Sequence, residues 1–404
     1  MSRFDPIESL AKSKHEFGEH GGVNLSIETS STFTVLAADT MPEIFQGHRG
    51  PEQGGCYLYG RHFNPTVYNL GKQIAALEGA EAGYCCASGM GAVSSVAMQI
   101  CNTGDHIVSG NTIYGGTFAL FHDYLPQKTG VTTTFVDVTD LNAVADAINE
   151  RTTMIYVETI SNPTLRIANL PALSEIAKAN NIKLVVDNTF APMMVSPIQL
   201  GADVVIHSMT KYISGSSDVI AGAICGKTEF ITSLMDLHFG SLMLLGPTMD
   251  PRMAFSLDLR LPHLGIRMKE HGRRALKIAQ RLDERGIKVT YPGLPSHADH
   301  ELLATMGNQG YGAGAIMCLD LATTERAHQF METLQNEQNF GYMAVSLGYF
   351  DTLMSCPGSS TSSEMPTEVL KKVGISPGLV RLSLGYTGSL EQRWQQLEQA
   401  LDQL

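Results

Sequence analysis

KLVVDNTF (residues 183–190) and DVVIHSMTKY (residues 203–212) are the stretches whose reading decides the fold. Each opens as a short run rich in valine and isoleucine, bounded by turn-forming residues, and reads as a buried strand of a parallel sheet. Asp187 closes the first run; Ser208, Thr210 and Lys211 close or follow the second. Ligands of open α/β sheets sit beyond the carboxyl ends of the strands, so one ligand would reach all four residues.

An acid and an amine at that edge suit pyridoxal phosphate (PLP), whose ring nitrogen takes a carboxylate and whose aldehyde takes an amine. A lysine held there, partly desolvated, loses some of its basicity, as an imine-forming amine requires. Read singly, Asp187 is equally a turn or cap residue and Lys211 a solvated loop lysine.

The pattern extends in both directions. GYCCA, DHIVSG, TTTFVDV, TMIYVET and IAGAICG repeat the short-strand signature, with helical spacing at 142–150 and 170–179 between some of them. Seven strands alternating with helices predict a mostly parallel, doubly wound sheet. Before them, 65–79 is helical, with Pro65 in its first turn and Gly79 as its stop. After Pro251 a long helical stretch (254–285, broken near Pro262) leads to the strands IKVTYPG, AGAIMCLDL and GLVRLSLG. SLEQRWQQLEQALDQL then closes the chain, with Trp394, Leu397 and Leu401 on one stripe. SSTSSE (359–364) reads as a polar turn or a helix cap. The expected organisation is an extended arm (1–58), a large cofactor-binding domain (59–256) and a smaller C-terminal α/β domain (257–404).

A chain of 404 residues exceeds one ordinary core. Its net charge of −12 argues against nucleic acid or an anionic membrane as partner. No run approaches the ~20 apolar residues of a spanning helix, and the N-terminus shows no signal-peptide core. The seven cysteines (56, 85, 86, 101, 225, 318 and 356) show no CxxC spacing, which predicts a reducing, cytoplasmic setting and cysteines that pack rather than react. No HExxH or HxH occurs among the histidines, so no metal is expected, and His207 is expected to pack or orient.

Four further motifs carry chemistry. SGMGAV (88–93) follows a strand and opens a helix whose first N–H groups suit a phosphate monoester. It is a weak dinucleotide fingerprint, since Ser94 stands at the third glycine position. YGRHFNPT (59–66) lies outside the sheet unit, so Arg61 reaches either solvent or another chain. IYGGTF places Tyr114 after a strand, where its ring could stack on a planar cofactor. Arg381, in GLVRLSLG, offers the planar fork that grips a carboxylate.

YGRHFNPT, ALEGA, SGMGA, YGGT, ETISNPT, VVDNTF, HSMTKY, AVSLG and GLVRLSLG occur in the order found in the Cys/Met metabolism PLP enzymes, of fold type I, which the chain resembles from about Gly21 to Leu404. SKHEFGEHGGVNLS, GSLMLLGPTM and TLMSC resemble the plant-type methionine γ-lyase branch. The resemblance implies PLP as cofactor, with Lys211 as its covalent partner and Asp187 at the ring nitrogen. It implies a phosphate cup of Ser88, Gly89, Met90, Ser208 and Thr210, completed by Tyr59 and Arg61 of a neighbouring subunit. Tyr114 would stack on the ring, Glu158 and Asn162 line its O3′ edge, and Ser346 and Arg381 take the substrate carboxylate. A homotetramer built as a dimer of dimers, with shared sites, is implied as well.

Two family histidines are replaced, by Ser216 after Gly215 and by Ser362 after Thr361; both changes also suit the plant-type branch. Gly116 stands where many bacterial and protist methionine γ-lyases carry a cysteine. Relatives acting on cystathionine often place an arginine just after YGGT, where this chain has Phe118 and Ala119; Asp351 stands where lyases commonly have glutamate. The resemblance therefore implies α,γ-elimination of methionine to methanethiol, 2-oxobutanoate and ammonia. Cystathionine γ-lyase, cystathionine γ-synthase, O-acetylhomoserine sulfhydrylase and a non-catalytic scaffold of the same fold remain as alternatives.

Overall fold

A computed structural model describes residues 4–13, 17–46, 48–50, 57–359 and 375–404. Cys56, Thr361, Ser362 and all of SSTSSE beyond Ser359 lie outside the described residues.

The seven expected strands form one sheet: β1 (Ala82–Cys86), β2 (His106–Gly110), β3 (Thr132–Val136), β4 (Thr152–Glu158), β5 (Lys183–Asp187), β6 (Val204–Ser208) and β7 (Gly222–Gly226). Their order is β1-β7-β6-β5-β4-β2-β3. Only β7 runs against its neighbours, pairing antiparallel with both β1 and β6. β4 to β6 are buried along nearly their whole length, as strands covered on both faces must be.

The helix Pro65–Glu78 forms where its ends are specified. Asn64 accepts hydrogen bonds from the N–H groups of Thr66 and Val67 at 2.9 and 3.2 Å, Pro65 needs no donor at the first position, and Gly79 ends the helix at φ 66°. Leu70, Ile74 and Leu77 give it a buried face against β1.

A second sheet, β10-β11-β12-β9-β8, comprises β8 (Val289–Thr290), β9 (Ile316–Asp320), β10 (Gly341–Met343), β11 (Thr352–Ser355) and β12 (Leu379–Ser383). The long helical stretch divides as its proline demands, into Pro251–Asp258, a short 3-10 turn Leu261–His263, and Leu264–Glu284. The closing helix Leu390–Asp402 buries Leu397, Ala400 and Leu401. Its Glu391 and Glu398 pair with Arg281 and Arg285 of the Leu264–Glu284 helix.

Three local readings differ. The expected arm contains two short helices, Pro6–Ser13 and Thr40–Phe45, too brief to leave a periodic signal. The helix expected at 142–150 spans Leu141–Asp146, begun by an Asp140 cap. β10 and β11 were not anticipated, being only three and four residues long.

Candidate active site

Beyond the carboxyl ends of β4, β5 and β6 lies a cavity of ≈ 250 Å³, several times the ~30 Å³ share of one water. Ser88, Gly89, Met90, Tyr114, Glu158, Asn162, Asp187, Ser208, Thr210, Lys211 and Arg381 all line it, so residues from 88 to 381 converge on one space.

Parallel pairing creates the acid floor. Glu158 and Asp187 are register partners at the ends of β4 and β5. Asp187 Oδ1 accepts from the Thr189 N–H at 2.9 Å and Oδ2 from the Tyr156 hydroxyl at 3.2 Å. Burial nevertheless holds its carboxyl above the ordinary value, against the Thr189 bonds and the nearby His207. Glu158 is raised further, by burial and then by Asp187. Its two oxygens accept from the N–H groups of Tyr114 (2.7 Å) and Asn162 (3.1 Å), tying both loops to the strand end.

The Lys211 amine donates to Ser346 Oγ at 2.9 Å. Burial, then the nearby Arg381, lowers its pKa from 10.5 to about 8. Arg381 lies on β12 of the smaller sheet, 2% exposed, and donates to Asn162 Oδ1 (2.9 Å) and the Ser346 carbonyl (3.2 Å). Donors remain on its five-N–H fork for a carboxylate.

The opposite wall is the start of the helix Gly89–Ile100. Ser88 caps it, its Oγ accepting from the Gly91 N–H at 2.9 Å. Gly89 packs so closely on β6 that a Cβ there would stand 2.7 Å from Ser208 Cβ, so a side chain would close the cradle. The Thr210 hydroxyl is engaged with the backbone of Ala221, and the Ser208 N–H donates to Thr189 Oγ1.

PLP fits these residues on their own chemistry. Asp187, short of a cation, matches a protonated ring nitrogen, Lys211 is a weakened amine, and the helix start offers free N–H groups for a phosphate.

Tyr59 and Arg61 are not among the lining residues. Arg61, which showed no partner in its sequence surroundings, donates to the Met243 carbonyl at 2.7 Å and lies 5.7 Å from the Tyr59 ring centroid. Phe118 stacks on His122 at 5.0 Å, and neither Phe118 nor Ala119 lines the cavity. Asp351 is likewise outside it, bonded to Arg393, Thr387 and the Thr352 N–H. His207 packs as expected, buried with its Nε2 2.6 Å from Glu78 Oε1. Cys85, Cys86 and Cys225 are buried and free, with thiols pushed up by burial.

Sequence reasoning overlooked Tyr156 and Thr189. Tyr156 precedes Glu158 by two on a strand, which places it on the same face. Thr189 stands two residues after Asp187, where an acid at a strand end binds the following backbone. Val345 and Leu347, which flank Ser346, and Ile220 were overlooked as walls.

The chain is 55% identical over 397 residues to a methionine gamma-lyase of Arabidopsis thaliana, covering 98% of this chain and 90% of that protein. It is 38% identical over 393 residues to an L-methionine gamma-lyase of Treponema denticola, covering 96% and 94%. Among solved structures, a cystathionine gamma synthase of Xanthomonas oryzae superposes with a TM-score of 0.88 at 31% identity, covering 99% of this chain and 98% of that one. A cystathionine gamma-lyase of Lactobacillus plantarum gives 0.86 at 31%, covering 99% of each. The Cys/Met metabolism PLP-dependent enzyme family matches residues 8–402, and the chain belongs to that family.

Proposed function

We propose that the protein is a methionine γ-lyase, converting L-methionine and water to methanethiol, 2-oxobutanoate and ammonia. The observation that carries this is the convergence of Lys211, Asp187 and Arg381 on a cavity whose other walls include the apolar Val93, Ile160, Phe190, Ile220, Val345 and Leu347. The high identity to methionine gamma-lyases supports it.

Bound PLP supplies an aldehyde for the substrate amine and a ring that accepts the electron pair released at Cα. Asp187 would hold the ring nitrogen protonated, and Tyr156 and Thr189 hold Asp187. Arg381 and Ser346 take the substrate carboxylate and so orient the Cα–H bond toward Lys211. Lys211 Nζ would be the base that takes the Cα proton and, once relieved of it, a Cβ proton, whose removal lets the γ-sulfur leave. The Tyr114 hydroxyl, at the cavity's exposed side, protonates the departing sulfur. Glu158 keeps Tyr114 and Asn162 at their posts.

Tyr59 and Arg61 reach the phosphate of a neighbouring subunit in this reading, within a dimer that pairs into a tetramer. A cytosolic setting suits Cys85, Cys86, Cys101, Cys225 and Cys318, which are free thiols. No described helix is long and apolar enough to cross a membrane.

Substrate choice follows from the walls. Among the described residues of this chain, Lys211 and Arg381 are the cations lining the cavity, and both are committed. The distal carboxylate of cystathionine would be set against the apolar Ile220 and Val345 with no cation to pair it, at a cost in solvation, whereas a thioether methyl suits those side chains. If ~1.4 kcal/mol of that cost reaches the transition state, kcat/KM for methionine exceeds that for cystathionine by about tenfold. Val345→Arg narrows the gap by giving the distal carboxylate a partner. A product assay with methionine, cystathionine, and O-acetylhomoserine plus sulfide tests this. Equal cleavage of cystathionine and methionine by the unmodified enzyme would reject it in favour of a cystathionine γ-lyase.

A further inference from the structure

Two arginines among the described residues are buried, Arg381 in the cavity and Arg267 outside it. Arg267 belongs to the helix Leu264–Glu284, which packs on the smaller sheet. Its Nη1 donates to the Tyr212 carbonyl, its Nη2 to the Ile213 carbonyl at 2.9 Å, and its Nε to His263 Nδ1 at 3.0 Å. None of these acceptors is a carboxylate. A cation buried without an anion is costly, and burial, with a smaller push from Arg260 and against Tyr386, lowers the Arg267 pKa to about 10. What it holds are the main-chain carbonyls of the two residues that follow Lys211.

The same turn is pressed from the other side. Gly348, two residues beyond Ser346, sits at φ 77°, where a Cβ would lie 2.5 Å from Tyr212 N and 2.9 Å from Lys211 C. Farther along, the Phe350 N–H donates to the Gly215 carbonyl at 3.1 Å. The backbone of 211–215 is thus gripped between the Leu264–Glu284 helix and the 346–350 loop. That loop also supplies Ser346, the partner of the Lys211 amine.

We propose that Arg267, with Gly348 opposite it, is a positioning residue that sets where Lys211 Nζ stands relative to Ser346 and Arg381. The inference rests on Lys211 being the amine linked to the cofactor and the base of the proposed reaction. Arg267 touches neither cavity nor substrate; it acts through the turn.

The test uses holoenzymes of Arg267→Met, Arg267→Lys and Gly348→Ala, with Lys211→Ala as control. The expected result for Arg267→Met is a kcat lower by about 10²-fold, as a misplacement of the order of 1 Å produces. KM for methionine stays within about threefold. The visible circular dichroism of the bound cofactor changes at unchanged cofactor content. Arg267→Lys, able to satisfy one of the two carbonyls, falls between, and Gly348→Ala, pushing from the opposite side, alters the same dichroic band. Wild-type kcat and dichroism per bound cofactor in Arg267→Met, whatever its melting temperature, would overturn the proposal. If that variant does not fold, wild-type behaviour of both Arg267→Lys and Gly348→Ala would overturn it. Retained turnover and a retained covalent link in Lys211→Ala would instead reject the reading of the site itself.

Discussion

Lys211 is an ordinary lysine in an extraordinary electrostatic position, and that position makes a measurable claim. Desolvation and the neighbouring Arg381 bring its pKa down to about 8, so the neutral amine is reached far below the usual lysine range. Below that value the ammonium cannot attack an aldehyde, whereas above it the free amine can. The rate at which apoprotein forms its covalent link with added cofactor should therefore rise through pH 8 and level off above about 9. Stopped-flow absorbance reads it directly. A rate still climbing steeply at pH 10 would mean that the amine retains the basicity of a solvated lysine. Asp187 shows why type and spacing were legible here but strength was not. VVDNTF announces an acid at a strand end, yet its raised pKa comes from burial, and its support from Tyr156 crosses from another strand.

Among the elements, the helix Pro65–Glu78 shows most plainly how end residues specify structure. Asn64 does more than cap it, because its Nδ2 also donates to the Glu28 carbonyl at 2.7 Å, tying the N-terminal segment to the helix start. Asn64→Ala should cost about 1–2 kcal/mol for the cap, and more because a main-chain carbonyl loses its donor. Asn64→Asp keeps the cap acceptor but sets a carboxylate oxygen against the Glu28 carbonyl, so its loss reads the Glu28 bond apart from the cap. Urea unfolding midpoints at fixed cofactor concentration provide the measurement; a loss below ~0.5 kcal/mol for the alanine variant would show that water replaces both bonds. Elements with strong local signals were readable: seven strands of the larger sheet by short runs bounded by turn residues, and the break at Pro262 by its missing donor. β10 and β11 were not, since GYM and TLMS are strands only because β12 and its neighbours pair with them.

For the molecule as a whole, the site depends on distant stretches of chain meeting, and Tyr59 and Arg61 show where one chain falls short. Arg61 rests on Met243 outside the cavity of its own chain. A two-fold dimer exchanging this segment would bring it to the other site. Mixing inactive Arg61→Ala with inactive Lys211→Ala subunits should restore part of the activity, because one site of each mixed dimer then has both residues intact. Absence of recovery after subunit exchange has been demonstrated by mass would reject the shared site.

The sequence by itself determined the class of sheet, the acid at the end of β5, the lysine after β6 and the motifs of the family, because these depend on residue type, short-range periodicity and order along the chain. Tertiary structure alone decided that Arg381 of the smaller sheet reaches Asn162 and the loop that holds the Lys211 amine, that Phe118 and Asp351 turn away from the cavity, and that Ile220 and Val345 form its apolar walls. Arg381 meets Asn162 across 219 positions and Lys211 meets Ser346 across 135, and contacts between residues so far apart have no counterpart in any local pattern.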